Sequence, residues 1–73
     1  MAKKGSGTVY RVTEVIGTSS NSWEDAVRNA VKTAAGTLRD LRIAEIEKLD
    51  VKIEDGRVTQ FRARLALSFK YEG

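Results

Sequence analysis

The chain has 73 residues, with 13 Lys and Arg against 10 Asp and Glu for a net charge of +3, and it contains neither Cys nor His. Disulfides, thiolate metal sites and zinc of the usual kinds are thereby excluded, as are the common catalytic triads and an imidazole general base, so the composition reads as non-enzymatic. A domain of this size buries only about 60% of the surface its unfolded chain exposes. With no covalent or metal staple, oligomerisation is what remains to stabilise it.

Met1 to Gly7 is small, polar and glycine-bearing, with nothing to bury, and reads as a flexible N-terminus ahead of a single domain over residues 8–73. Two of the basic residues, Lys3 and Lys4, belong to that segment, so the folded part is close to neutral. Acids and bases interleave along it, without a basic stripe carrying exposed aromatics. That reads against a nucleic-acid partner, a small basic RNA-contacting module being an alternative. No apolar run approaches the roughly 18 residues of a membrane span. No signal-peptide core follows Met1, and the reading is a cytoplasmic protein without a membrane partner.

Thr8 to Gly17 is rich in β-branched residues and predicts the first strand. One of its faces carries Val9, Arg11, Thr13 and Val15, the other Tyr10, Val12, Glu14 and Ile16, and the second is the expected core face. Gly17 to Ser22 reads as a loop. Ser22 then caps a helix, with Asp25 three residues on approximating a capping box and Glu24 also placed well against the helix dipole. Trp23, Ala26, Val27, Ala30, Val31, Ala34 and Leu38 recur at three-and-four spacing, which predicts an amphipathic helix of about four turns with Gly36 inside its last turn. Trp23 fits that period as an anchor for the helix or a subunit contact.

From Arg42 to Tyr71 the pattern is a long hairpin turning at Asp55-Gly56, a pair suited to two central positions of positive φ. Phe61, Ala63, Leu65, Leu67, Phe69 and Tyr71 alternate with Gln60, Arg62, Arg64, Ser68 and Lys70. Counting back from Glu54 opposite Arg57 predicts Leu49 opposite Arg62, Glu47 opposite Arg64 and Ile43 opposite Ser68 on one face. The other face pairs Ile46 with Leu65, Ala44 with Leu67 and Arg42 with Phe69. Apolar residues in the first strand of the hairpin change phase between Ile46 and Leu49, so either a bulge lies near Lys48 or both faces are buried in different places. If both faces are buried, Ile43, Leu49, Val51 and Ile53 lie away from the helix and call for a partner chain.

A strand, the corner Val15-Ile16-Gly17-Thr18-Ser19, a helix opened by Ser22-Trp23-Glu24-Asp25-Ala26 and two long strands ending in Leu67-Ser68-Phe69 together resemble the dodecin family, from Tyr10 to Tyr71. The resemblance implies an α+β fold, βαββ, with a three-stranded antiparallel sheet wrapped around one helix. It also implies a homododecamer, a hollow sphere of 23 symmetry that stores riboflavin or FMN at its two-fold interfaces without catalysis. In flavin-binding members a Trp near the start of the second strand stacks on the ring and a Gln on the third meets its pyrimidine edge. Here those positions hold Ile43 and Arg62. The expectation is a binding or storage shell with weakened flavin affinity, its ligand-contacting residues being Ile43, Glu45, Arg62 and Arg64. The ligand is a flavin or a related small anion, since Arg62 can stack or bind phosphate bidentately. A flavin-free shell binding calcium or magnesium is the alternative, for which Glu24 with Asp25, Glu45 with Glu47, and Glu54 with Asp55 supply hard oxygen pairs.

Overall fold

The computed structural model describes residues 9–70, which form β1 (Tyr10–Ser19), α1 (Trp23–Ala35), β2 (Leu41–Glu54) and β3 (Arg57–Lys70). The sheet order is β1-β3-β2, antiparallel throughout, and α1 packs on one face. This is the expected βαββ arrangement. The Thr8 end of the first strand and the Tyr71 end of the hairpin lie outside the described residues.

Strand β1 runs through the Gly-Thr-Ser corner to Ser19 instead of ending at Gly17, because Gly17, Thr18 and Ser19 pair with Ala63, Arg62 and Phe61. Its core face is also the opposite of the one expected. Gly17 and Ser19 are buried and Val15 packs on the core, whereas Tyr10, Val12 and Ile16 are exposed. The reason is steric. Against α1, β1 presents a glycine, and a Cβ on Gly17 would collide with the Ala26 carbonyl oxygen and lie 2.7 Å from the Ala30 Cβ. The bulkier alternating residues point away.

Helix α1 begins where the cap was expected, with the Ser22 hydroxyl accepting from the Asp25 amide at 3.0 Å. It ends at Ala35, one turn earlier than the periodicity implied. Gly36 is the C-cap and is itself right-handed at φ −72°. Leu38, beyond the helix, still packs on the core. That core is thin: Ala26, Ala30 and Ala34 of α1 meet Ala63, Leu65 and Leu67 of β3. Small helix residues allow the close approach that Gly17 requires.

The hairpin turns at Asp55 and Gly56, with φ of 52° and 74°, as the sequence pattern demands. Its register slips three times, between Lys52 and Ile53, Ile46 and Lys48, and Leu41 and Ile43. Thr59 on β3 and then Glu47 and Arg42 on β2 are the extra residues. Ile46 opposite Leu65, Ala44 opposite Leu67 and Ile43 opposite Ser68 are as expected. Asp50 replaces Leu49 opposite Arg62, Lys48 replaces Glu47 opposite Arg64, and Leu41 replaces Arg42 opposite Phe69. The bulge at Glu47 resolves the phase change, since Leu49, Val51 and Ile53 return to the helix side and only Ile43 faces away.

Helix α1 covers about 20 Å of strands that reach about 48 Å. The radius of gyration is 15.8 Å, against roughly 11 Å for a compact chain of this length. Ile53 and Val58, on the helix side of the hairpin beyond the helix, and Ile46 and Leu49, on the edge strand β2 that the helix scarcely touches, remain about half exposed.

Candidate functional site on the outer face of the sheet

The face opposite α1 is built by alternation and read from the register. Tyr10, Val12, Glu14, Ile16 and Thr18 of β1 lie opposite Lys70, Ser68, Ala66, Arg64 and Arg62 of β3, and Ile43, Glu45, Lys48 and Asp50 of β2 lie along the other side. Tyr10, Val12, Ile16 and Ile43 are between 47% and 61% exposed, which makes an apolar strip interrupted by charge.

All four residues singled out from the sequence lie on this face, though not around one point. Ile43 faces Ser68, Glu45 faces Ala66, and Arg64 and Arg62 follow along β3. Glu45 and Arg64 are two positions apart, about 7 Å. Ile43 and Arg62 are separated by six positions, about 20 Å. No compact ligand touches both within one chain.

Arg62 is tied down by a residue that sequence reasoning missed. Its Nε donates to the Asp50 carboxylate at 2.8 Å. On the other side of the sheet the Asp50 carbonyl accepts from Trp23 Nε1 at 3.0 Å, and the Trp23 ring stands edge-on to Phe61 with centroids 5.1 Å apart. Trp23 is therefore a helix anchor, as its period indicated. Asp50 comes opposite Arg62 through the extra residue Thr59, between the turn and this pair, for which the sequence pattern held no signal.

Glu14 is the second missed residue. It and Glu45 stand on either side of Ala66, which is only 6% exposed although it faces away from the core. Hydrogen bonding to Glu14 is the main reason that Glu47, the bulge residue, holds its proton above the ordinary 4.5. Desolvation and repulsion from Glu14 and Glu45 act in the same direction, and Arg64 opposes them.

The other acidic pairs are occupied locally. Glu24 pairs with Arg28 at 3.1 Å, Asp25 accepts from the Ser19 hydroxyl at 2.7 Å, and Glu54 lies 3.9 Å from Lys52. Among the described residues no three carboxylates of one chain converge to hold a metal ion. A hollow of about 460 Å³ between β1 and α1 is lined by Thr13, Gly17, Asn29, Ala34 and neighbours with no ionisable side chain, so it offers nothing to a charged ligand. A second, of about 350 Å³, is bounded by Glu14, Val15, Ile16 and Arg64 and includes part of the outer face. Among the described residues no helix is long and apolar enough to cross a membrane.

A short helix clasped by one side of a three-stranded antiparallel sheet, with long hairpin arms and an outer face half apolar and half charged, defines a small βαββ subunit of the dodecin type. The chain belongs to the dodecin family, whose sequence model, described as Dodecin, matches residues 9–72. It is 36% identical over 63 residues to calcium dodecin of Mycobacterium tuberculosis, covering 86% of this chain and 89% of that one. To dodecin of Thermus thermophilus it is 32% identical over 66 residues, covering 90% and 96%. The solved structure of dodecin from Streptomyces coelicolor superimposes with a TM-score of 0.87 at 45% identity, covering 94% of this chain and 99% of that one.

Proposed function

We propose that this chain is the non-enzymatic subunit of a self-assembled, dodecin-like binding or storage shell, cytoplasmic, built from one domain. Its ligand is a flavin or a related small anion held where outer faces of two subunits meet. The observation that carries this reading is the placement of Ile43 and Arg62: they share one exposed face yet lie about 20 Å apart. A ring touching both positions has to lie between two copies, each supplying one of them. The exposed Tyr10, Val12, Ile16 and Ile43 support the same pairing, because such a strip gains by being covered.

Ile43 supplies apolar area but no stacking, worth about 1 to 3 kcal/mol per ring face, so flavin affinity is lower than with an aromatic residue by about one to two powers of ten. Arg62 and Arg64 supply positive charge for a phosphate, with Asp50 and Glu45 as counter-charges. Sizing chromatography with light scattering, read at protein and flavin wavelengths with and without FMN, tests the proposal. The expected result is a particle of about twelve chains that takes up FMN. A monomer refutes the assembly, and an assembled particle that leaves FMN free refutes the flavin part.

The second reading is a flavin-free shell that binds calcium or magnesium. It is favoured by the relative named calcium dodecin, and Glu14 and Glu45 on the outer face offer carboxylates to a shared ion. Ligands missing from one chain would come from a second copy.

A further inference from the structure

We propose that Asp50 is a specificity-determining residue of the outer-face site: by holding Arg62 it disfavours a ligand that carries a doubly charged phosphate relative to an uncharged ligand with the same ring. This rests on the flavin-site reading and adds to it the part that ligand charge plays.

The contact is direct. Arg62 on β3 and Asp50 on β2 stand opposite each other, and Arg62 Nε donates to Asp50 Oδ1 at 2.8 Å. That bond uses the side edge of the guanidinium and leaves its two terminal nitrogens for a ligand. Any anion on those nitrogens shares one guanidinium with the Asp50 carboxylate and lies about 5 to 7 Å from it. On the other flank of Arg62 stands Thr18 of β1, which brings no charge. Arg64 and Lys48, opposite each other two positions further along the face, attract an anion whether or not residue 50 is charged.

Two routes are open to a phosphate at Arg62, and Asp50 penalises both. If the phosphate joins Asp50 on the guanidinium, one positive charge is shared among three negative ones, and their repulsion strengthens as a second copy removes water from the contact. If it displaces Asp50, the carboxylate loses its hydrogen bond and stays in the covered face without a partner. An uncharged flavin meets neither penalty, because its carbonyl oxygens can accept from the terminal nitrogens while Asp50 keeps Nε. The Asp50 carbonyl is tied separately, to Trp23 Nε1 at 3.0 Å, so the strand position of residue 50 does not depend on its carboxylate.

Titration with riboflavin and with FMN at low salt and about pH 8, where the phosphate is doubly ionised, read by quenching of flavin fluorescence, tests this. Asp50→Asn keeps an acceptor oxygen for Arg62 and removes the charge. It is expected to raise the ratio of FMN to riboflavin affinity by about 3- to 10-fold. Glu24→Gln, the same loss of charge on the exposed side of α1, is expected to leave the ratio as in the wild type. Riboflavin bound by the wild type, with a ratio that Asp50→Asn leaves unchanged or lowers, overturns the proposal while the flavin site stands, as does an equal rise in Glu24→Gln. Failure of wild type and Asp50→Asn alike to quench either flavin overturns the flavin site itself, and this proposal with it.

Discussion

Asp50 holds Arg62 by its Nε at 2.8 Å, across a pair of strands whose register puts the two directly opposite. Both side chains keep more than a third of their surface in water, so the pair contributes no more than about 1 kcal/mol to stability. The guanidinium is turned side-on to its counter-ion, so the proposed ligand site carries a half-neutralised cation at Arg62.

Converting the two altered positions is therefore the direct test of the ligand site. Ile43→Trp with Arg62→Gln is expected to tighten flavin binding by about 10- to 100-fold, from ring stacking worth about 1 to 3 kcal/mol per face. Quenching of flavin fluorescence on titration measures it. Asp50 is left without its cation, but in water, so folding is expected to survive. No gain in quenching would mean that more than these two side chains closes the site.

Gly17 is the position where β1 and α1 are closest. Gly17→Ala forces its new methyl group against the Ala26 carbonyl oxygen and Ala30, and neither can withdraw without moving the helix off the sheet. Overpacking of this kind costs about 1 to 3 kcal/mol. Urea denaturation under conditions where the particle is dissociated is expected to show a loss in that range, whereas Gly36→Ala, whose Cβ meets only a carbonyl at 3.3 Å, changes stability much less.

The capping arrangement at Ser22 is more connected than the sequence pattern suggested. Ser22 Oγ accepts from the Asp25 amide, but the return path runs through Ser19, whose hydroxyl donates to Asp25 and accepts from the Asn21 amide at 2.9 Å. Ser22→Ala is expected to cost about 1 kcal/mol. Ser19→Ala is expected to cost about 1 to 3 kcal/mol, because it removes the buried hydroxyl that bonds both the Asp25 carboxylate and the Asn21 amide. Chemical denaturation of both variants under dissociating conditions checks the order.

Elements, turn type and most of the helix face were legible because each depends on neighbours in sequence: Asp55-Gly56 sets the turn, Ser22 sets the cap, and Ala26, Ala30 and Ala34 set the stripe. What was not legible depends on contacts far apart in the chain. Tyr10, Val12 and Ile16 outweigh Val15 in hydrophobicity, yet the core takes Val15, because the helix needs Gly17 on its side. The phase change between Ile46 and Leu49 located a bulge but not which residue it expels. Only the partner strand settles that Glu47 bulges and that Asp50, one position beyond Leu49, meets Arg62. The separation of Ile43 from Arg62 does not depend on that slip, because Ile43 stands opposite Ser68 in the expected register as well, six positions from Arg62 along β3.

The two faces of the sheet have different roles, and one charged substitution on each separates them. Leu65 is fully buried against α1, and Leu65→Asp places an unpaired carboxylate in a core of a few small side chains. The cost is several kcal/mol, comparable with the roughly 4 to 11 kcal/mol of total stability expected at this length. Loss of folded, soluble protein is expected, and Phe61→Asp, which also removes the support under Trp23, is expected to act in the same direction. Ile43 is more than half exposed on the outer face, so Ile43→Asp is expected to keep the circular-dichroism spectrum of the fold while reducing the particle size on light scattering. A heat-resistant particle of normal size from Leu65→Asp would contradict the assignment of the core face. An unchanged particle from Ile43→Asp would remove the outer strip from the assembly contact and leave the uncovered hairpin arm, with Ile46, Leu49 and Ile53, as the surface through which copies meet.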